Sequence, residues 1–151
     1  MDFTNAENII VKLQAFSARQ EVIAIVDTNA ASLVDLERKQ LSEGIDIDGQ
    51  KRADSYAEST KDYKNRYGVG IGALTDRVTF YMTGNLYNSL FLAMPDDKFN
   101  IVSPEETYGF MIDRITNDKF GLSPENRMEY AQKVVLPQFS AAFEEKTGFK
   151  M

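Results

Sequence analysis

Cysteine, histidine and tryptophan are all missing from this chain of 151 residues. Without cysteine there is no disulfide, no thiolate zinc ligand and no thiol nucleophile. Without histidine there is no Ser-His-Asp triad and no imidazole general base. Carboxylates, Lys, Tyr, Ser and Thr are left to carry any chemistry, which tells against hydrolases of the common kinds and leaves a carboxylate–metal enzyme to be weighed. Long apolar runs are also lacking. None approaches the ~20 residues of a membrane span, and Met1-Asp2-Phe3-Thr4-Asn5 has no basic stretch of the secretory type. The expectation is a soluble chain made in the cytosol, with no membrane partner.

What is present suits a globular protein. Apolar residues make up 43% of the chain, enough for a core, and the length fits a single domain spanning residues 1–151. The net charge of −6 is unevenly spread. Residues 1–49 and 78–151 are acidic, net −5 and −3, whereas residues 50–77 are net +2. A surface that is acidic overall does not grip nucleic acid as a whole, so a basic role falls to the middle segment.

Helical periodicity dominates the first third. Asn5–Phe16 sets Ile9, Leu13 and Phe16 on one face with Ile10 beside them, and Thr4 with Glu7 makes a capping-box pattern. Gln20–Glu43 reads as one long helix, its face running through Val22, Ile25, Asn29, Leu33, Leu36 and Gln40 to a stop at Gly44. Ile45-Asp46-Ile47-Asp48-Gly49-Gln50 then reads as a hairpin or tight turn on Asp-Gly. A calcium loop is the competing reading. With Gly49 at its sixth position, Gly44 and Ser55 fall at the first and twelfth, where Asp and a bidentate Glu are needed, so the match fails at both anchors.

Residues 45–77 read as an extended loop or arm with a short helix near Ala57–Asn65, carrying Tyr56, Tyr63 and Tyr67 among Lys61, Lys64 and Arg66. Its Gly68-Val69-Gly70-Ile71-Gly72 run lacks the Lys-Ser/Thr of a phosphate loop and follows no strand, so a flexible or tightly packed loop is preferred to nucleotide binding. No cofactor is expected.

Val78-Thr79-Phe80-Tyr81-Met82 alternates and is rich in β-branched and aromatic residues, the pattern of a strand. Thr83-Gly84-Asn85 breaks it, and Leu86, Tyr87 and Leu90 then follow helical spacing, so the chain turns a glycine corner into a short helix or second strand. Two apolar runs, Ser89–Met94 and Phe99–Ser103, flank Pro95-Asp96-Asp97-Lys98 as an antiparallel hairpin. Pro104–Ile115 has a helical pattern that closes over Asn117–Leu122. Ser123-Pro124-Glu125-Asn126 starts the last helix, whose pattern runs to Gly148 with Pro137 kinking it or ending a first segment at Leu136. The expected fold is α+β: two N-terminal helices, a small mostly antiparallel sheet over residues 78–103, C-terminal helices and the long central arm.

Four of these segments, in order, resemble the small head–tail connector or tail-completion (neck) proteins of tailed bacteriophages, in the form found in phages of Bacteroidetes. They are Leu41-Ser42-Glu43-Gly44-Ile45-Asp46-Ile47-Asp48-Gly49, the Tyr/Lys/Gly-rich stretch Tyr63–Gly68, Val78–Ser89 with its corner Thr83, Gly84, Asn85, Leu86 and Ser89, and Lys119-Phe120-Gly121-Leu122-Ser123. Tyr87-Asn88 stands where the broader families carry a basic residue. The resemblance implies a structural virion protein with no catalytic role: copies form a ring homo-oligomer in the neck or tail, complete the channel that DNA passes without sequence-specific contact, and dock portal and tail proteins.

An acidic surface suits a wall past which DNA slides. The arm's Tyr56, Lys61, Tyr63, Lys64, Arg66 and Tyr67, with Phe149 at the tail, are the expected interface residues. A different reading is a small nucleic-acid-binding module that uses the 50–77 arm to neutralise phosphates and stack bases. A third is a carboxylate–metal enzyme built on Asp46/Asp48, Asp96/Asp97 or Glu105/Glu106, pairs that equally fit solvated turns.

Overall fold

Three helices open the chain: α1 (Thr4–Ala15), α2 (Ala18–Thr28) and α3 (Ala30–Ser42). They are seen in a computed structural model that describes residues 4–52, 55–95, 98–104 and 121–151. The helix expected over Gln20–Glu43 is thus two helices, broken at Asn29. The break has a local cause. Thr28 Oγ1 donates to the Ala24 carbonyl at 2.8 Å, and both the Asn29 backbone N–H and its side-chain amide donate to Ile25 O, at 3.1 and 2.7 Å. Polar side chains that bond back to the preceding turn compete with the helical ladder and let it end.

The same residue bounds two compact units, one of Met1–Asn29 with Met128–Met151 and one of Ala30–Arg127. In the first unit, α1 and α2 pack on the C-terminal helix. Ser17 caps α2 by accepting the Gln20 N–H, and Phe16 meets Phe139 and Phe143 edge-on at 5.7 and 5.2 Å between ring centroids. Glu21 and Lys146 form an ion pair between α2 and the C-terminal helix. Ile10 and Leu13, expected on the buried face of α1, are exposed together with Val11; the packing is carried by Phe16, just beyond the helix end.

The C-terminal helix begins as predicted. Ser123 Oγ accepts the Asn126 N–H, and α6 (Pro124–Tyr130) follows with proline in its first turn. A π-helical turn over Ala131–Val135 leads into α7 (Leu136–Thr147), which ends at Gly148. The Leu136 N–H donates to Ala131 O, five residues back, immediately before Pro137. Proline has no N–H to continue the ladder, so a widened turn lets the helix pass it without a break.

The second unit is built on α3. The Asp-Gly turn is confirmed: Ile45 pairs with Lys51 in an antiparallel bridge, and Asp46 Oδ1 accepts the N–H groups of Asp48 and Gln50 at 3.1 and 2.9 Å. Within the central arm, α4 (Glu58–Tyr67) is followed by a 3-10 turn over Gly70–Ala73. The corner then leads into α5 (Asn85–Ser89), and β1 (Phe91–Ala93) pairs antiparallel with β2 (Asn100–Val102), Leu92 opposite Ile101.

The fold is mixed helical with a small antiparallel sheet, an α+β arrangement. Among the described residues that sheet has two strands; Val78–Met82 belongs to neither and forms no regular element, its Phe80 standing at a positive φ. Val34, Leu41, Val78, Phe80, Leu86, Tyr87 and Leu90 form the core of this unit. The helical pattern over Pro104–Ile115, its closure through Phe120 and the acid pairs Asp96/Asp97 and Glu105/Glu106 lie outside the described residues, Pro104 apart.

Candidate functional site

Among the described residues Val78–Met82 carries a strand's residues without a strand's partner, so its backbone polar groups need another source of hydrogen bonds. Side chains supply them. The Tyr56 hydroxyl oxygen accepts the N–H groups of Thr79 and Phe80 at 3.0 and 3.1 Å and lies 3.2 Å from Thr79 Oγ1. With both lone pairs so engaged, its own proton goes to Thr79 Oγ1, which also accepts the Tyr81 N–H. The Tyr87 hydroxyl donates to Thr79 O at 2.8 Å, and Lys64 Nζ donates to Tyr81 O at 2.7 Å while lying 4.7 Å from the centre of the Tyr56 ring. Phe80, held between these clasps, has φ of +56°, a left-handed conformation costly for an aromatic residue. Arg52 stacks on its ring at 4.5 Å.

A second clasp starts from α3. Gln40 is buried and uses its whole amide. Its Nε2 donates to Asp46 O and Gly121 O at 3.2 and 2.9 Å, and its Oε1 accepts from Ser123 N and Asn126 Nδ2 at 2.7 and 2.8 Å. One turn earlier, Glu37 is wholly buried and accepts the Gly121 N–H through Oε1 at 3.2 Å. Its Oε2 has no hydrogen-bond partner among the described residues. Burial raises the Glu37 carboxyl above its ordinary value; the Gly121 N–H and the Arg52 charge oppose that shift only in part. Burial likewise pushes the Tyr87 phenol upward.

The expected interface residues therefore part company. Lys64 is 1% exposed and Tyr56 half-buried, and both fasten Tyr81 and Thr79 from within. Lys61 pairs with Glu58 one turn away at 2.7 Å. Tyr63, Arg66 and Tyr67 do lie on the outer face of α4. The two tyrosine rings are 5.1 Å apart, and Arg66 lies 6.0 Å from the Tyr67 ring centre. Tyr67 is 64% exposed and the neighbouring Val69 85%, so an aromatic, basic and aliphatic patch meets solvent here. Phe149 is exposed at the end of the other unit.

The corner is a structural device. Gly84 sits at φ +86° before α5, and a Cβ there would stand 2.9 Å from the Tyr81 hydroxyl. Thr83 Oγ1 accepts the Asn85 N–H, Leu86 is core, and Ser89 Oγ meets Ser103 Oγ at 2.6 Å beside the hairpin. Arg38 donates to Tyr87 O at 2.8 Å and so closes the carbonyl end of α5.

Sequence reasoning did not single out Glu37, Gln40, Arg52 or Val69. A signal existed for Gln40, a polar residue on the apolar face of a helix. Val69, between two glycines, has no periodicity to reveal it. No group of three or more Asp or Glu among the described residues is placed to hold a metal ion, and no helix among them is long and apolar enough to cross a membrane. No family model, no curated protein and no solved structure matches the chain.

Proposed function

We propose that this chain is a structural assembly subunit, of the kind that forms the neck or tail-completion ring of tailed phages. The observation that carries the reading is the division of labour in the central segment. Two of its polar residues, Lys64 and Tyr56, are engaged in holding backbone, while Tyr63, Arg66, Tyr67 and Val69 are left outside. Tyr and Arg are the residue types enriched at protein interfaces and among their hot spots. The four segments that, in their sequence order, resemble connector proteins support the neck as the place of assembly. In that setting copies close into a ring, portal and tail proteins dock on it, and its acidic surface lets DNA pass.

The same exposed tyrosines could stack bases in a nucleic-acid module, and one experiment separates the two readings. The purified chain is titrated into labelled duplex and single-stranded DNA across a salt series, with its mass followed by light scattering. The assembly reading expects no salt-dependent DNA binding near physiological salt. A monomer that binds DNA with an affinity falling steeply as salt rises overturns it in favour of the module.

A further inference from the structure

Helix α4 carries its large aromatic side chains, Tyr63 and Tyr67, on the outside, and the one residue it buries is Lys64. A helix that buries no apolar side chain is weakly held, and such segments open before the rest of a protein does. The Lys64 ammonium is taken out of water against a carbonyl, Tyr81 O at 2.7 Å, and the face of the Tyr56 ring. It recovers its hydration when α4 lifts, which lowers the cost of lifting.

The segment under α4 depends on it. Tyr56 stands just before the helix, and its hydroxyl holds Thr79 N and Phe80 N while Lys64 holds Tyr81 O. Successive backbone groups of Val78–Met82 thus hang on side chains from one short stretch of chain. Phe80 is also the only residue other than glycine at a positive φ among the described residues. That conformation is costly for an aromatic residue and persists only where the surroundings impose it.

We infer that α4 and Val78–Met82 form one latch. Lifting α4 withdraws Lys64 and Tyr56 together, and Val78–Met82, stripped of these partners, leaves its strained conformation in the same step. The outer face of the helix is the patch of Tyr63, Arg66 and Tyr67. A partner that needs α4 in place therefore closes the latch, and a closed latch favours that partner by the same factor. This consequence for partners rests on the assembly reading; the latch itself does not.

The test uses Asp62, an exposed residue in the middle of α4. Asp62→Ala and Asp62→Gly both remove the carboxylate, and they differ by a factor of about five in how well they support a helix. Hydrogen–deuterium exchange of each variant chain is followed residue by residue by NMR, in solution dilute enough that light scattering gives the monomer mass. The α4 amides and those of Thr79 and Phe80 should all exchange about fivefold faster in the Gly variant than in the Ala variant. The Leu33–Leu41 amides of α3 should exchange at equal rates in the two.

Amides of α4 that speed up while Thr79 and Phe80 do not would overturn the latch, because the helix would open without the segment beneath it. An α3 that speeds up by the same factor would overturn it too, because the unit would open as a whole. So would α4 amides with equal rates in both variants. Each of these failures leaves the assembly reading to the DNA titration, since no step of the exchange measurement requires assembly.

Discussion

Replacing Tyr56 by phenylalanine removes one oxygen atom and keeps the ring over which Lys64 lies. That oxygen accepts two backbone N–H groups, from Thr79 and Phe80, and its proton serves Thr79 Oγ1. Thr79 is wholly buried and Phe80 nearly so, so the orphaned donors have poor access to water. A buried donor left without a partner costs about 1–3 kcal/mol, and two such donors with some relaxation give a loss of about 2–4 kcal/mol. With a urea m-value of about 1–3 kcal/mol/M, the midpoint of unfolding should fall by about 1–2 M. Tyr67→Phe removes a hydroxyl from an exposed ring and should change stability by less than about 0.5 kcal/mol. Equal midpoints for Tyr56→Phe and Tyr67→Phe would refute the view that side chains replace the missing ladder.

Other outcomes follow from the same structure. Gln40→Leu strips partners from Ser123 N, Gly121 O and Asp46 O at once, and should cost about 3 kcal/mol or more in urea unfolding; a loss below about 1 kcal/mol contradicts the clasp. Glu37→Gln should become progressively more stabilising relative to wild type as pH rises. A carboxyl whose folded value is raised contributes most stability below its unfolded value of 4.5 and loses it as pH climbs through the folded one, and glutamine has no such term. Urea curves between pH 4 and 8 check this, and a difference that stays flat across the range is the contrary result. Gly68→Ala should destabilise by about 1–3 kcal/mol or more, because its Cβ would stand 2.4 Å from the carbonyl oxygens of Lys64 and Gly72. Thermal unfolding unchanged by that substitution would show that the turn yields freely.

Much of the fold is legible in the sequence where local chemistry and tertiary packing agree. The Asp-Gly turn, the Ser-Pro helix start, the glycine corner and the hairpin around Pro95 all announce themselves through residues that permit few alternatives. The split at Asn29 was hidden because Asn29 continues the helical face, and its side-chain bond to Ile25 O competes with the ladder without disturbing periodicity. Val78–Met82 misleads for a different reason. Alternating β-branched and aromatic residues suit a strand, but Val78, Thr79 and Phe80 are all buried in succession and Phe80 turns to a positive φ, which an alternating pattern does not report. Its partners, Tyr56, Lys64 and Tyr87, come from before and after it in the chain, beyond the reach of local pattern. The arm's charge was legible, but which of its cations faced inward was not. Lys64 looks like Lys61 and Arg66 until the backbone of Tyr81 is placed beside it.

Hydrogen–deuterium exchange of the chain at dilute and at concentrated protein tests both halves of the account in one measurement. The Thr79 and Phe80 amides should be slow to exchange at both concentrations, held by Tyr56. Protection that the assembled state adds should fall on α4 and the Gly70–Ala73 turn, beside Tyr63, Arg66, Tyr67 and Val69. Fast exchange at Thr79 and Phe80 in both samples, or assembly-dependent protection that bypasses α4, would contradict it.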